Sequence, residues 1–81
     1  MTRHDDISAG ELHGRIRRGA IRLGGNRRLG IYGTLGCPSG KRMKRENRVF
    51  FCSEREAILS GYRPCARCMK RKYQKWKDET L

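Results

Sequence analysis

A small α+β domain, with a short antiparallel or mixed sheet and about three helices, is the fold class that this 81-residue chain predicts. Three observations carry it. Two Ser-x-x-Glu segments, Ser8–Glu11 and Ser53–Glu56, have the spacing of helix capping boxes. Between them, short β-branched and aromatic runs bounded by glycines read as strands. Only 36% of the residues are hydrophobic and 35% are charged, so a core this small needs a staple, and four cysteines offer one.

Taken in order, residues 1–7 read as a loose arm. Ser8 caps a helix over about 9–19, on which Leu12 and Ile16 share a face and which Gly19 stops. In "AIRLGGNRRLGIYGT" the expected strands are 20–23 and 29–34, around a Gly24-Gly25-Asn26 turn. "GCPSGKRMKREN" is a polar loop, because Cys37-Pro38 followed by Ser39-Gly40 is turn chemistry. "RVFF", 48–51, is the clearest strand. Ser53 opens a helix over about 54–60, and Gly61 suits the left-handed position beyond its end. Pro64 fits the first turn of a third helix. On it Met69, Tyr73 and Trp76 fall at i, i+4 and i+7 and read as a core-facing stripe rather than a base-stacking platform. The whole chain, 1–81, reads as one domain without internal repeats.

Twenty Lys and Arg against eight Asp and Glu leave a formal charge of +12. A chain so basic repels itself unless a polyanion is near, and nucleic acid, duplex DNA first, is the expected partner. No amphipathic anchor is evident, so no membrane contact is expected, and the protein is expected to be a monomer. The basic residues form three groups, of which two flank cysteines. From these, Lys41, Arg42, Arg45, Arg63, Arg67, Lys70 and Arg71 are the candidate nucleic-acid contacts.

No apolar run approaches the ~20 residues that span a bilayer or the core of a signal peptide, so a reducing cytoplasm is the expected compartment. Disulfides are rare there, which favours a metal. Cys65-x-x-Cys68 is a half-site for Zn²⁺: the spacing lets both sulfurs reach one ion. A redox pair has the same spacing but wants a βαβ setting that this chain is short for. Cys37, in a turn, is the third candidate ligand, and Cys52, at a strand end, the fourth by count. His4 and His13 read as surface histidines. Iron takes the same thiolate set.

"KRENRVFF" followed by "SEREAILSGYRPCARC" resembles the zinc-binding N-terminal domain of the Ada DNA-repair protein, over about residues 29–69. The resemblance implies a small α+β zinc domain with four cysteine ligands that binds DNA, one thiolate accepting a methyl group from a phosphate triester. Cys65 and Cys68 fall on the family's last two ligands, Cys37 on its second, and Arg63 and Arg67 on its basic flanks. The methyl acceptor would stand four positions before Cys37, and there the chain has Gly33. If strand 29–34 paired antiparallel with 48–51, Gly33 opposite Val49, Cys52 would lie roughly 10 Å from that corner. A basic DNA-binding module without methyl transfer, and so without a catalytic residue, is therefore expected. A suicide methyl acceptor working through another zinc thiolate, Cys37 first, and an RNA- or protein-binding module are the rivals.

Overall fold

In the computed structural model, which describes residues 1–38 and 42–80, five short strands form one mixed sheet. They are β1 (Thr2–Arg3), β2 (Leu23–Asn26), β3 (Ile31–Thr34), β4 (Arg48–Phe51) and β5 (Arg63–Pro64), in the order β1-β4-β2-β3-β5. All neighbours are antiparallel except β3 and β5. Three α-helices are described: α1 (Ala9–Arg17), α2 (Glu54–Leu59) and α3 (Lys70–Thr80). The α+β class with a mixed sheet and three helices is as expected. No helix among the described residues is long and apolar enough to cross a membrane.

Side chains alternate across a sheet, and residues directly opposite on neighbouring strands share a face. On one face Val49, Gly25, Tyr32 and Pro64 form a row, with Phe51 and Leu23 beside it. Here Tyr32, Val49 and Phe51 pack with Ala57 of α2, and Leu23, Tyr62 and Met69 close the edges. On the other face Phe50 packs with Ile7, Leu12 and Ile21 under α1. The rest of that face carries two further rows: Arg48, Asn26, Ile31 and Arg63, and then Phe50, Gly24 and Gly33.

Both caps form as expected. Ser8 Oγ accepts the Glu11 N–H at 3.2 Å, and Ser53 Oγ accepts the Glu56 N–H at 3.1 Å. Gly61, at φ +86°, follows the end of α2 in the expected left-handed position. The return of Glu56 goes one residue further than the box predicts: its carboxylate accepts the Cys52 N–H at 3.2 Å.

Four expectations need correcting. The first strand of the hairpin lies at 23–26, not 20–23, so Gly24 and Gly25 are strand residues. The reason is long-range: a Cβ on Gly25 would stand 2.9 Å from a Phe51 ring carbon and 3.0 Å from the Ile31 carbonyl oxygen. The turn moves to 27–30, where Asn26 Oδ1 accepts the Leu29 N–H at 3.1 Å and Gly30 takes φ +66°. Second, β3 does not pair with β4, because β2 lies between them. Third, residues 1–7 are docked: β1 pairs with β4 and Ile7 is buried in the α1 cluster. Arg45 holds this segment, donating to the Ile7 and His4 carbonyls at 3.3 and 3.4 Å and facing Asp5 at 3.6 Å.

The fourth correction concerns the C-terminal third. Pro64 is in edge strand β5, where it needs no N–H, and α3 begins only at Lys70. Of the stripe Met69, Tyr73 and Trp76, only Met69 packs against the core. Tyr73 and Trp76 stack on each other, centroids 6.0 Å apart, and the Arg63 guanidinium lies 5.2 and 5.7 Å from their rings. Trp76 stays 37% exposed.

Candidate metal centre

The two ends of β3 and β5 bring three cysteines together. A tight turn after β3, closed by the Cys37 N–H on the Thr34 carbonyl at 3.2 Å, carries Cys37 back over the sheet edge. Cys65 follows β5 directly, and its N–H continues the parallel ladder to the Tyr32 carbonyl at 2.8 Å. The chain then turns: the Arg67 N–H points at Cys65 Sγ at 3.4 Å, and the Met69 N–H reaches the Cys65 carbonyl at 3.0 Å. Cys65-x-x-Cys68 is therefore a turn between a strand and a helix, not the first turn of a helix.

The thiols of Cys37, Cys65 and Cys68 all lie within 4.8 Å of one another. Cys37 Sγ and Cys65 Sγ are 3.9 Å apart. Thiolates at the usual bond length of ~2.3 Å on a tetrahedral ion stand about 3.8 Å apart, so the three sulfurs fit three corners of such a centre. Backbone N–H groups of Thr34 and Arg67 face Cys68 Sγ and Cys65 Sγ, both at 3.4 Å, and favour the charged sulfur. Without an ion, burial pushes the Cys68 thiol up; the Thr34 N–H opposes this, and the Cys37 and Cys65 thiols add to it. Metal binding must then displace protons.

Cys52 is not brought to this cluster. It is exposed, and its thiol donates to Glu56 Oε2 at 3.4 Å. Nor are the histidines: His4 stands edge-on to Phe50 at 5.3 Å, and no histidine joins the three cysteines among the described residues. Burial, then Arg45 and Arg48, hold the His4 ring below its ordinary value, and Asp5 opposes them.

Gly33 occupies the flank of the cluster. A Cβ built there would stand 2.7 Å from Cys68 Sγ and 3.9 Å from Cys65 Sγ. A side chain at this position would collide with Cys68 Sγ unless that sulfur moved.

A cavity of about 340 Å³ opens beside Cys37 and Cys65; its lining is mainly apolar, with Leu29, Leu35, Met43 and Phe50, and Arg48, Arg63 and Arg67 also stand on its walls. Of the predicted nucleic-acid contacts, Arg63 and Arg67 thus adjoin the metal centre. Lys70 and Arg71 are exposed and line a second depression with Arg67 and Cys68, Arg42 is exposed, and Arg45 is turned towards the N-terminal segment. Lys41 lies outside the described residues. Sequence reasoning missed Arg48 as a site residue. The signal was present in the alternation of "RVFF", which puts Arg48 and Phe50 on the face opposite Val49 and Phe51.

Residues 22–70 match the family described as the metal binding domain of Ada. The match starts earlier than the resemblance over 29–69 and takes in β2. No curated protein and no solved structure matches the chain.

Proposed function

From a chain that belongs to the family of Ada metal-binding domains, we propose a zinc-stabilised basic module that docks on duplex DNA through its phosphates and takes up no methyl group at position 33. The observation that carries this reading is the meeting of Arg48, Arg63 and Arg67 at the edge of the three-cysteine centre, in a chain of net charge +12. Thiolate donors with this spacing suit Zn²⁺, which when bound supplies a rigid tetrahedral corner and keeps its sulfurs ionised. Cys37, Cys65 and Cys68 would hold it.

The chain's own residues do the rest. Arg67 is exposed in the turn between Cys65 and Cys68, and Arg63 is pre-positioned by its stack on Tyr73 and Trp76. Guanidiniums so held lose little freedom on meeting a phosphate. Such contacts set position and carry no sequence information, so backbone recognition with little base reading is expected.

Methyl transfer at the family's position needs a sulfur, and Gly33 has none. In the rival reading another thiolate accepts the methyl, with Cys37 as first candidate. Cys37 is only 5% exposed, which works against in-line approach of a bulky phosphotriester.

Binding to duplex DNA should weaken steeply with salt: with about six phosphates neutralised, the slope of log K against log salt is near −5. A flat salt response, or tighter binding to structured RNA at every salt concentration, would sink the duplex reading. Incubation with methylphosphotriester DNA should leave the intact mass unchanged. One added methyl on a cysteine would establish the rival.

A further inference from the structure

We propose that the Tyr73–Trp76 pair of α3, with the Arg63 guanidinium against it, is a stacking platform for unpaired bases, so that the preferred substrate is duplex DNA interrupted by a short single-stranded segment. The inference rests on the DNA-binding half of the reading above and not on the metal.

The platform grows out of a stripe that the body does not use. Met69, Tyr73 and Trp76 follow one another at helical spacing, but only Met69 packs against the core. Tyr73 is half-buried, and Trp76 is 37% exposed. A lone ring at a surface needs no explanation. This one is not alone: its centroid lies 6.0 Å from that of Tyr73, the two planes are 27° apart, and the Arg63 guanidinium stands 5.2 and 5.7 Å from the two rings. Arg63 is itself anchored, by its place in β5 and by donating from Nη1 to the Pro64 carbonyl at 3.2 Å. Three flat groups are thus already ordered, and a flat guest that joins them costs little further side-chain freedom.

The surrounding charge decides which flat guest fits. Lys70 precedes Tyr73 by three residues and so flanks it on the helix surface, and Arg67 lies in the turn just upstream; both are exposed. A neutral aromatic would leave these cations unused, whereas a nucleotide offers a π-face to the rings and a phosphate to the cations. Inside a duplex each base has its faces covered by its neighbours, so only an unstacked base can use the platform. The spacing is right for a continuous strand. Six residues separate Lys70 from Trp76, a rise of about 9 Å, or roughly two to three nucleotides at about 3.4 Å each. Phosphates held at Arg67 and Lys70 therefore deliver the next bases to the rings. Arg63 belongs to both parts, since it also lines the cavity beside Cys65.

Trp76 is the chain's only tryptophan, so its emission reports on the platform directly. With the zinc-loaded full chain, a thymine-only DNA strand should quench that emission saturably. A blunt duplex should bind with the steep salt dependence given above and leave the emission nearly unchanged. A duplex with a gap of about three nucleotides should quench, and should bind about tenfold more tightly than the blunt one. By anisotropy of labelled DNA, Trp76→Leu should bring that affinity ratio close to one, and Trp76→Phe, which restores a ring face, should recover most of it. Arg67→Gln should weaken both duplexes alike and keep the ratio. If Trp76→Leu fails to fold, the emission of the parent chain decides. Equal affinity for the two duplexes with unmoved emission would overturn the inference alone, as would a ratio that survives Trp76→Leu. An RNA strand that quenches more strongly than the DNA strand of the same sequence would overturn the assignment to DNA. A chain that binds no DNA would overturn it together with the duplex reading.

Discussion

Gly25 and Gly33 sit on adjacent strands of one sheet, on opposite faces, and each lacks a side chain because a different neighbour fills the space. The space above Gly25 is already taken by the Phe51 ring, by Val49 and by the Ile31 carbonyl. The space above Gly33 is taken by Cys68 Sγ and the Cys65 Cβ, at 2.7 and 3.1 Å from where a Cβ would stand. Both glycines are demanded by close approach, one to the hydrocarbon core and the other to the cysteine cluster. The same residue type therefore admits an aromatic ring on one face and two cysteines on the other, and only the neighbours in space tell which.

The comparison breaks hardest at the metal. Chelation, Cys65→Ser or Cys68→Ser should each collapse tertiary structure, because ion binding in such small domains, on the order of 10 kcal/mol, is folding energy. Loss of amide NMR dispersion is the readout, and a chelated chain that keeps its dispersion would refute a structural metal. Cys52→Ser should retain both dispersion and metal, since Cys52 is exposed and a hydroxyl can also donate to Glu56.

At the next scale the two glycine faces separate. Gly25→Ala should cost about 1–3 kcal/mol of stability through overpacking against Phe51 and Val49. Gly24→Ala, whose Cβ would meet nothing closer than Leu35 at 3.7 Å, should cost little more than its cavity floor. Denaturant midpoints of the two metal-loaded variants measure this. Equal losses would mean that the sheet, and not the face, sets the demand for glycine.

The smallest effect lies at Glu56, remote from both. Burial pushes its carboxyl up, but the Cys52 N–H and thiol, and then the N-terminal amino group, outweigh it, so the net shift is downward from 4.5. A lowered folded value means the carboxylate's contribution is complete above about pH 4.5 and fades as the pH falls through the folded value. The difference in unfolding midpoint between the parent and Glu56→Gln should therefore be constant near neutrality and shrink in acid. Metal loss common to both cancels in that difference. A gap that widens in acid would reverse the sign.

Local chemistry was legible in the sequence. Ser8, Ser53 and Gly61 act within one helical turn of themselves, and "RVFF" needs no partner to be recognised as a strand. The pairing of Cys37 with the Cys65-x-x-Cys68 element also survives, because turn residues and ligand spacing are local marks. What could not be read depends on distant neighbours. Gly24-Gly25 looks like a turn until Phe51 is placed above it. Pro64 suits a helix start until β3 offers it an edge. Tyr73 and Trp76 have core periodicity, yet the body ends near Met69, and Arg63 is what their rings meet. Cys52 was a fourth ligand by count alone, and its place beside Glu56, away from the three cysteines, is set by the fold.

The way α3 leaves the body has a consequence for the shape of the protein's electric field. The helix spans eleven residues, too few to persist alone in water. It is tethered through Met69, the Arg63 stack and the ion pair of Lys72 with Glu54, and it springs directly from the cysteine turn. Its helix–coil equilibrium is thus inherited from that turn. With the turn set, Lys70, Arg71, Lys75 and Lys77 ride on one rod. With the turn released, the same charges dissolve into a diffuse cationic tail. An ion held at that turn would therefore govern how far, and in which direction, the molecule's positive potential reaches.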